Sequence, residues 1–349
     1  MSQLKNDLFI RACNKLDVER TPIWIMRQAG RYLPEYRAVR ANADFLTMCK
    51  TPELAAEVTI QPIDIIGVDA AILFSDILVI PEAMGMHLEM IESKGPVFPK
   101  PIRSFDDAKQ LKDIDPTKEL KYVIDAVSLT KKNLDNRVPL IGFSGSPWTL
   151  LTYMVEGKGS KNFTEVKKLI YNEPKLAHSI LDQLADTIAE YLSAKIEAGC
   201  NAVQIFDTWG GILSQKDFDE FSLRYVEKII SQIKRKNEPI IFFAKGVHFA
   251  LDKMANSGAN VLGLDWTMDL GEVRKKVGDK VALQGNMDPT VLYANKGHIK
   301  DEVKNILASF GKGNGHIFNL GHGILPDIDP ENVKAFVSFV KEESEKYHQ

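Results

Sequence analysis

The chain has 349 residues, of which 44% are hydrophobic and 26% are charged, and its formal net charge is −3. This composition is typical of a globular protein with a large core; the weak charge excludes a general nucleic-acid-binding surface, and the apolar runs are too short to cross a membrane. The three cysteines form no CxxC pair and the N-terminus lacks a secretory signal pattern, so we expect a cytoplasmic protein.

Alternating helical and strand patterns run along the chain. Residues 1–21 are predicted to form a lead-in helix, further helical patterns cover 44–67, 105–134 and 175–198, and the proline-rich stretch 81–101 indicates an inserted hairpin. Eight short apolar runs are predicted to be buried strands, at 22–26, 70–74, 139–143, 202–206, 239–243, 261–264, 281–284 and 316–320. This pattern favours a single-domain α/β fold over residues 1–349, a parallel (β/α)8 TIM barrel with an insertion after the second strand.

A doubly wound open sheet is the alternative fold, but the GxGxxG turn expected after its first strand is missing. The barrel is favoured further because residues suited to chemistry follow the strands, at the rim where barrels build their sites. These residues are Arg27, Asp76, Ser144, Asp207, Lys245, Asp265, Asn286 and His322.

The loop after the first strand carries two arginines, Arg27 and Arg31. Gly30 is expected to supply backbone freedom between them, and Pro34 rules out a simple continuation of the strand. Guanidinium forks suit carboxylates and phosphates, so we predict an anion-binding loop.

Sequence patterns for cofactors are weak. The glycine-containing loop at 157–160 lacks phosphate-loop spacing, and His316 and His322 are too far apart along one strand to share a metal. A Schiff base through Lys245 stays open, although ion pairing is the commoner use of a lysine. We therefore expect a site without a metal.

Six segments carry a resemblance to a known family: PIWIMRQAGRYLPEYR from Pro22, FSDIL from Phe74, PLIGFSGSPWTLLTYMVEG from Pro139, GLDWT from Gly263, LQGNMDP from Leu283 and NLGHGILPDIDPE from Asn319. In these segments the chain resembles the uroporphyrinogen decarboxylase family. The resemblance implies a single (β/α)8 barrel, a homodimer, and no cofactor or metal. It also implies conversion of the four acetate side chains of uroporphyrinogen III to methyl groups, which gives coproporphyrinogen III and carbon dioxide.

The resemblance also implies a set of site residues. The implied substrate-binding positions are Arg27, Gln28, Ala29, Gly30, Arg31, Asp76, Tyr153, Thr208 and His322. Thr208 stands where many members have serine. Asp207 and Trp209 differ from the residues of some relatives, so no catalytic role is assigned to them.

Asp76 and Arg27 are the expected catalytic residues. The implied substrate presents four pyrrole N–H donors at its centre and eight carboxylates at its edge. Asp76 is expected to accept the N–H bonds and to stabilise a pyrrole cation, while Arg27 holds the reacting acetate or delivers a proton through it. Arg31 and His322 are expected to anchor other carboxylates, and Tyr153 a further one.

Two other functions are weighed. A zinc-dependent methyltransferase of the same barrel family needs a histidine–cysteine–cysteine set at the rim, whereas Cys200 precedes its strand. A non-catalytic tetrapyrrole carrier is disfavoured because Asp76 is retained beside both arginines.

Overall fold

Parallel strands surrounded by helices form the frame of the protein. The computed structural model describes residues 4–91 and 95–349. Nine strands lie in these residues: β1 (Ala71–Ile72), β2 (Glu89–Ile91), β3 (Gly95–Val97), β4 (Leu140–Gly145), β5 (Ala202–Asp207), β6 (Ile240–Ala244), β7 (Val261–Gly263), β8 (Ala282–Gln284) and β9 (His316–Ile317). Seven of them form one parallel sheet in the order β1-β4-β5-β6-β7-β8-β9, and they match seven of the eight predicted strands.

The predicted first strand, 22–26, closes this sheet although only one of its residues forms a strand-like bridge. Ile23 pairs in parallel with Phe318, just beyond β9. The Ile23 carbonyl also accepts the backbone N–H of Asp69, just before β1, at 2.7 Å. The segment therefore lies between the two edges of the sheet and takes the eighth position of the barrel.

Two hydrophobic cores fill the fold. One lies inside the barrel and includes Trp24, Ile141 and Phe243, and the other lies between the strands and the surrounding helices. Helix α1 (Leu8–Cys13) packs its buried side into the inner core and so plugs the amino-terminal end of the barrel. Residues 1–3 of the predicted lead-in helix 1–21 lie outside the described residues. In the remainder the helix is shorter than predicted, because the chain turns at Lys15, whose φ is 56°.

Most predicted helices are confirmed, within shorter bounds. The pattern at 44–67 corresponds to two helices, 105–134 to three, and 175–198 to one long helix. In the described ranges the remaining α-helices are α2 (Pro34–Arg40), α3 (Phe45–Lys50), α4 (Pro52–Ile65), α5 (Val79–Ala83), α6 (Phe105–Ala108), α7 (Pro116–Glu119), α8 (Lys121–Leu134), α9 (Pro147–Glu156), α10 (Thr164–Asn172), α11 (Pro174–Ala198), α12 (Gln215–Phe218), α13 (Arg224–Gln232), α14 (Leu251–Ala255), α15 (Leu270–Val277), α16 (Lys296–Phe310) and α17 (Pro330–Ser344). None of the helices in these ranges has the length and apolar character needed to span a membrane.

The insertion after the second barrel strand is also confirmed. Strands β2 and β3 pair antiparallel, with Met90 opposite Pro96, inside the predicted stretch 81–101. Residues 92–94 of that prediction lie outside the described part of the chain. The hairpin forms a sheet of its own and pairs with no strand of the barrel sheet in the described residues.

Candidate active site

The loop after the closing segment is held by an unusual backbone conformation at Arg27. The φ of Arg27 is 65°, a left-handed conformation that is uncommon for a residue other than glycine. The prediction that Gly30 supplies this freedom was wrong, because Gly30 has no such φ. Gly30 is instead required by a close approach, since a Cβ there would lie 2.9 Å from the Arg27 carbonyl oxygen.

The side chain of Gln28 fixes this loop to the barrel. Gln28 is fully buried; its Oε1 accepts the backbone N–H of Ile25 at 3.1 Å, and its Nε2 donates to the carbonyl of Ala70 at 3.0 Å. Both ends of the amide are therefore used within the protein. The side chain of Gln28 therefore fixes the loop, and the prediction that Gln28 belongs to the substrate-binding positions stays a prediction.

The remainder of the loop offers free donors. In the described part of the chain, the backbone N–H groups of Ala29, Gly30 and Arg31 have no hydrogen-bond partner, and the guanidinium groups of Arg27 and Arg31 form no ion pair. Both arginine side chains are exposed. Guanidinium groups and successive amides together suit carboxylates.

Asp76 follows β1 and turns its carboxylate back onto the chain. Its Oδ1 accepts the backbone N–H of Leu78 at 2.9 Å. Burial raises the pKa of Asp76 and the nearby Glu82 raises it further, whereas the backbone hydrogen bonds and the positive charge of Arg27 act in the opposite direction. The protein thus holds a carboxylate whose negative charge is incompletely compensated, within electrostatic range of Arg27.

Tyr153 and Thr208 lie on neighbouring units of the barrel. Tyr153 belongs to α9, and its ring lies 6.4 Å from that of Trp209, measured between centroids. Burial raises the pKa of Tyr153, with a smaller contribution from Asp76, which places this phenol near the same carboxylate. Thr208 is half-buried directly after β5, and its hydroxyl has no hydrogen-bond partner within residues 4–91 and 95–349.

His322 lies beyond β9, between two glycines. Its ring is 6.4 Å from the ring of Phe243, which belongs to the inner core. Burial, followed by the positive charges of Arg27 and Lys245, lowers the pKa of His322 to about 4. At neutral pH this imidazole is therefore uncharged, and it is a hydrogen-bonding group rather than the cation of an ion pair.

Gly323 explains why Arg27 comes close to His322. A Cβ at Gly323 would lie 2.8 Å from both Cγ and Nε of Arg27. The arginine side chain therefore lies directly over this glycine, in space that any larger residue would fill.

Asp207, which the sequence places after a strand, has a structural role that the sequence analysis did not predict. It is fully buried at the end of β5 and accepts three hydroxyl groups, from Ser146 and Thr149 at 2.8 Å each and from Ser222 at 2.5 Å. It thereby ties the start of α9 and the turn before α13 to the strand that carries Thr208. The only local sequence signal for this arrangement is the Ser-Pro-x-Thr start of the helix after β4, and that signal does not show that Asp207 is the acceptor.

A family model for uroporphyrinogen decarboxylase (URO-D) matches residues 4–343 of the chain. Relatives named uroporphyrinogen decarboxylase from Chloroherpeton thalassium and Hydrogenovibrio crunogenus are 58% and 57% identical to it, and each alignment covers at least 99% of both chains. The chain belongs to the uroporphyrinogen decarboxylase family. The resemblance inferred from the sequence segments is thus confirmed.

A solved structure described as a methyltransferase from Methanosarcina mazei shares the fold of this uroporphyrinogen decarboxylase family member. It is 22% identical, with a TM-score of 0.83 over 98% of this chain and 99% of that chain. The ligand set of the zinc-dependent alternative is not assembled, because Cys200 is buried before β5, at the opposite end of the barrel from the rim. No group of three potential ligands in the described ranges is arranged to hold a metal ion.

In this family member, electrostatic interactions link four of the predicted site residues after the barrel strands: Arg27, Asp76, Tyr153 and His322. We refer to the space around these four residues as the cleft. The Gln28 side chain is directed away from it, as described above. Arg31 lies farther out, where its charge acts on Tyr36 rather than on Asp76. The cleft thus combines a half-buried carboxylate, a free guanidinium, a phenol and a neutral imidazole.

Proposed function

We propose that this protein is a carboxy-lyase that converts the four acetate side chains of uroporphyrinogen III to methyl groups, giving coproporphyrinogen III and carbon dioxide in tetrapyrrole biosynthesis. The relatives' names support this reaction. The observation that carries it is the incompletely compensated Asp76 carboxylate beside the unpaired guanidinium of Arg27. The Asp76 carboxylate can accept hydrogen bonds from the pyrrole N–H donors, and the Arg27 guanidinium can bind an acetate.

The raised pKa of Asp76 gives this carboxylate its role in the reaction. Burial makes its negative charge unfavourable in the free protein, and a cation placed beside it relieves that cost. Protonation of a pyrrole carbon next to the ring nitrogen creates such a cation. Asp76 therefore stabilises the charged intermediate more than the neutral substrate, which is the condition for lowering a barrier.

Each decarboxylation then balances without an external electron acceptor. The bond between the acetate methylene and its carboxylate breaks, carbon dioxide leaves, and the electron pair moves into the protonated pyrrole. A proton added to the exocyclic carbon and loss of the ring proton complete the methyl group. Net consumption is one proton for each acetate, and Arg27 holds the reacting carboxylate or delivers that proton.

The other residues of the cleft bind the remaining edge of the substrate. We assign the free amides of Ala29 and Gly30, together with Arg31, to carboxylates that are not reacting. Neutral His322 donates a hydrogen bond to another carboxylate, and Tyr153 and Thr208 contribute hydroxyl groups.

Purified protein incubated anaerobically with uroporphyrinogen III, in the presence of a chelator, tests the reaction. Oxidised products separated by carboxylate number should progress from eight through seven, six and five to four. Asp76→Asn should reduce kcat about 100-fold or more, because it removes the charge that stabilises the cation. Exposed Asp301→Asn is the matched control. Folded wild-type protein that binds the macrocycle and leaves it unchanged would refute the proposal and favour a carrier.

The resemblance also underlies two proposals about assembly. We propose that the chain forms a single domain, since the family model spans 4–343. We further propose that it is a homodimer. Light scattering coupled to size exclusion should then give twice the mass of one chain.

A further inference from the structure

Lys245 stands at the mouth of the barrel, directly after β6. Alternate residues of a strand face the same side, so Ile241, Phe243 and Lys245 all face the interior. Ile241 and Phe243 belong to the inner core, and the Phe243 ring lies 5.9 Å from Phe206 and 6.4 Å from His322. Lys245 is therefore the next inward position above these rings, at the height of the cleft.

The backbone around Lys245 is held on both sides. Its N–H donates to the Asp207 carbonyl at 3.1 Å, and the N–H of Gly246 donates to Asp265 Oδ2 at 2.5 Å. A Cβ at Gly211 would lie 2.5 Å from the Lys245 carbonyl oxygen, so the neighbouring loop packs tightly against this point. The backbone from which the Lys245 side chain extends is therefore held in one position.

The ammonium group of Lys245 has no oxygen partner within the described residues. It lies 5.2 Å from the centroid of the Trp266 ring, and no hydrogen bond or ion pair joins it to an acceptor. The carboxylate of Asp265 is already occupied, because Oδ2 accepts Gly246 and Oδ1 accepts the N–H and hydroxyl of Thr267.

Lys245 differs in this respect from three other lysines that are buried or half-buried. Lys195 donates to the Phe143 carbonyl at 2.7 Å, Lys131 to an Asn201 side-chain oxygen at 3.0 Å, and Lys341 to the Gly67 carbonyl at 2.5 Å. The ammonium group of Lys245, which is half-buried and contacts only the Trp266 ring, is therefore available to a carboxylate ligand.

We propose that Lys245 binds a propionate carboxylate of the macrocyclic substrate, an assignment that rests on the decarboxylase function proposed above. Lys245 follows Phe243 by two residues, the Phe243 ring lies 6.4 Å from His322, and the positive charges of Arg27 and Lys245 both act on His322. Arg27 serves the acetate that reacts. Acetates disappear one by one, whereas every ring keeps its propionate, so a fixed cation that serves all four steps must bind a propionate.

The test compares Lys245→Met, which keeps the length and the contact with Trp266, with Lys245→Arg, which keeps the charge. Lys236→Met is the control, because this exposed lysine lies in the connection that enters the amino-terminal end of β6. Circular dichroism melting checks that each variant folds. KM and kcat are measured with substrates that carry eight, seven, six and five carboxylates.

We expect Lys245→Met to raise KM about 10-fold or more by a similar factor for all four substrates, with kcat changed less than about 3-fold. Lys245→Arg should restore most of the affinity. A KM equal to wild type would overturn the proposal. An increase in KM for the octacarboxylate alone would also overturn it, because that result would indicate that Lys245 binds an acetate. A fall in kcat at constant KM would overturn it as well.

Equilibrium binding of coproporphyrinogen III separates this inference from the proposed reaction. That product has four propionates and no acetate, so Lys245→Met should weaken its binding by the same factor whether or not turnover occurs. A wild-type protein that makes no product refutes the decarboxylase function. Unchanged coproporphyrinogen binding in Lys245→Met, with an active wild type, refutes only the role of Lys245.

Discussion

Gly323→Ala offers a direct test of whether the position of Arg27 matters. The new methyl group would clash with Cδ of Arg27 and would lie 2.8 Å from its Cγ and Nε, whereas nonbonded carbon atoms prefer about 3.5–4.0 Å. The arginine side chain must therefore move by roughly 1 Å, a displacement that can cost about 100-fold in rate. The backbone at Gly323 is not left-handed, so alanine introduces no strain there.

The expected result is a large loss of kcat/KM with little loss of stability. Arg27 is exposed and its side chain forms no ion pair with the described residues, so the free energy of unfolding should change by less than about 0.5 kcal/mol. Steady-state kinetics with uroporphyrinogen III and urea titrations measure the two quantities. Wild-type kcat/KM in a folded Gly323→Ala protein would refute the reasoning.

Gly321→Ala is the contrasting variant in the same loop. Its methyl group would lie 2.9 Å from the carbonyl carbon of Asp265 and 3.1 Å from Cα of Trp266, which are backbone atoms. Backbone cannot move aside as a side chain does, so we expect a loss of about 1–3 kcal/mol in the free energy of unfolding. Equal stability of the two alanine variants would contradict this distinction.

Three further predictions concern buried polar groups of the frame. Lys195 is buried, and burial lowers its pKa from 10.5 to about 7, so the unfolded chain binds this proton more tightly than the folded protein does. The free energy of unfolding should therefore rise between pH 7 and 9, and the rise should be larger in wild type than in Lys195→Met. Asp207→Asn should lower the free energy of unfolding by about 1–3 kcal/mol in urea titrations, because three buried hydroxyl groups lose their charged acceptor. Burial lowers the pKa of His316 from 6.5 to about 4. Lowering the pH from 6.5 to 4 should therefore reduce the free energy of unfolding of wild type by about 3 kcal/mol, a loss that His316→Gln should not show.

Each of these predictions has a contradicting outcome. Equal pH dependence in wild type and Lys195→Met would show that folding does not favour release of the Lys195 proton. A fully stable Asp207→Asn protein would show that the three hydroxyl groups find other acceptors. A His316→Gln protein that loses as much stability as wild type on acidification would assign the loss to other groups.

The sequence by itself determined the frame of this protein. Apolar runs of strand length, separated by helical patterns, predicted the barrel. A helix that buries one face repeats its apolar residues with the helical period, and a short buried strand gives a short apolar run. The same runs located the rim, since residues that follow parallel strands share one end of a sheet. Arg27, Asp76 and His322 were placed at the rim in this way, and the family resemblance suggested their roles.

Only the tertiary structure decided which polar groups are occupied and which are free. Gln28 and Lys245 both lie near strand ends in the sequence, yet the first is committed to the Ala70 carbonyl and the second has no acceptor among the described residues. Asp207 gathers hydroxyl groups from positions up to 61 residues away. Local patterns set the period of a helix or strand, but hydrogen-bond partners distant in sequence meet only when the barrel closes in a particular register. For that reason the availability of each functional group is a property of the closed fold.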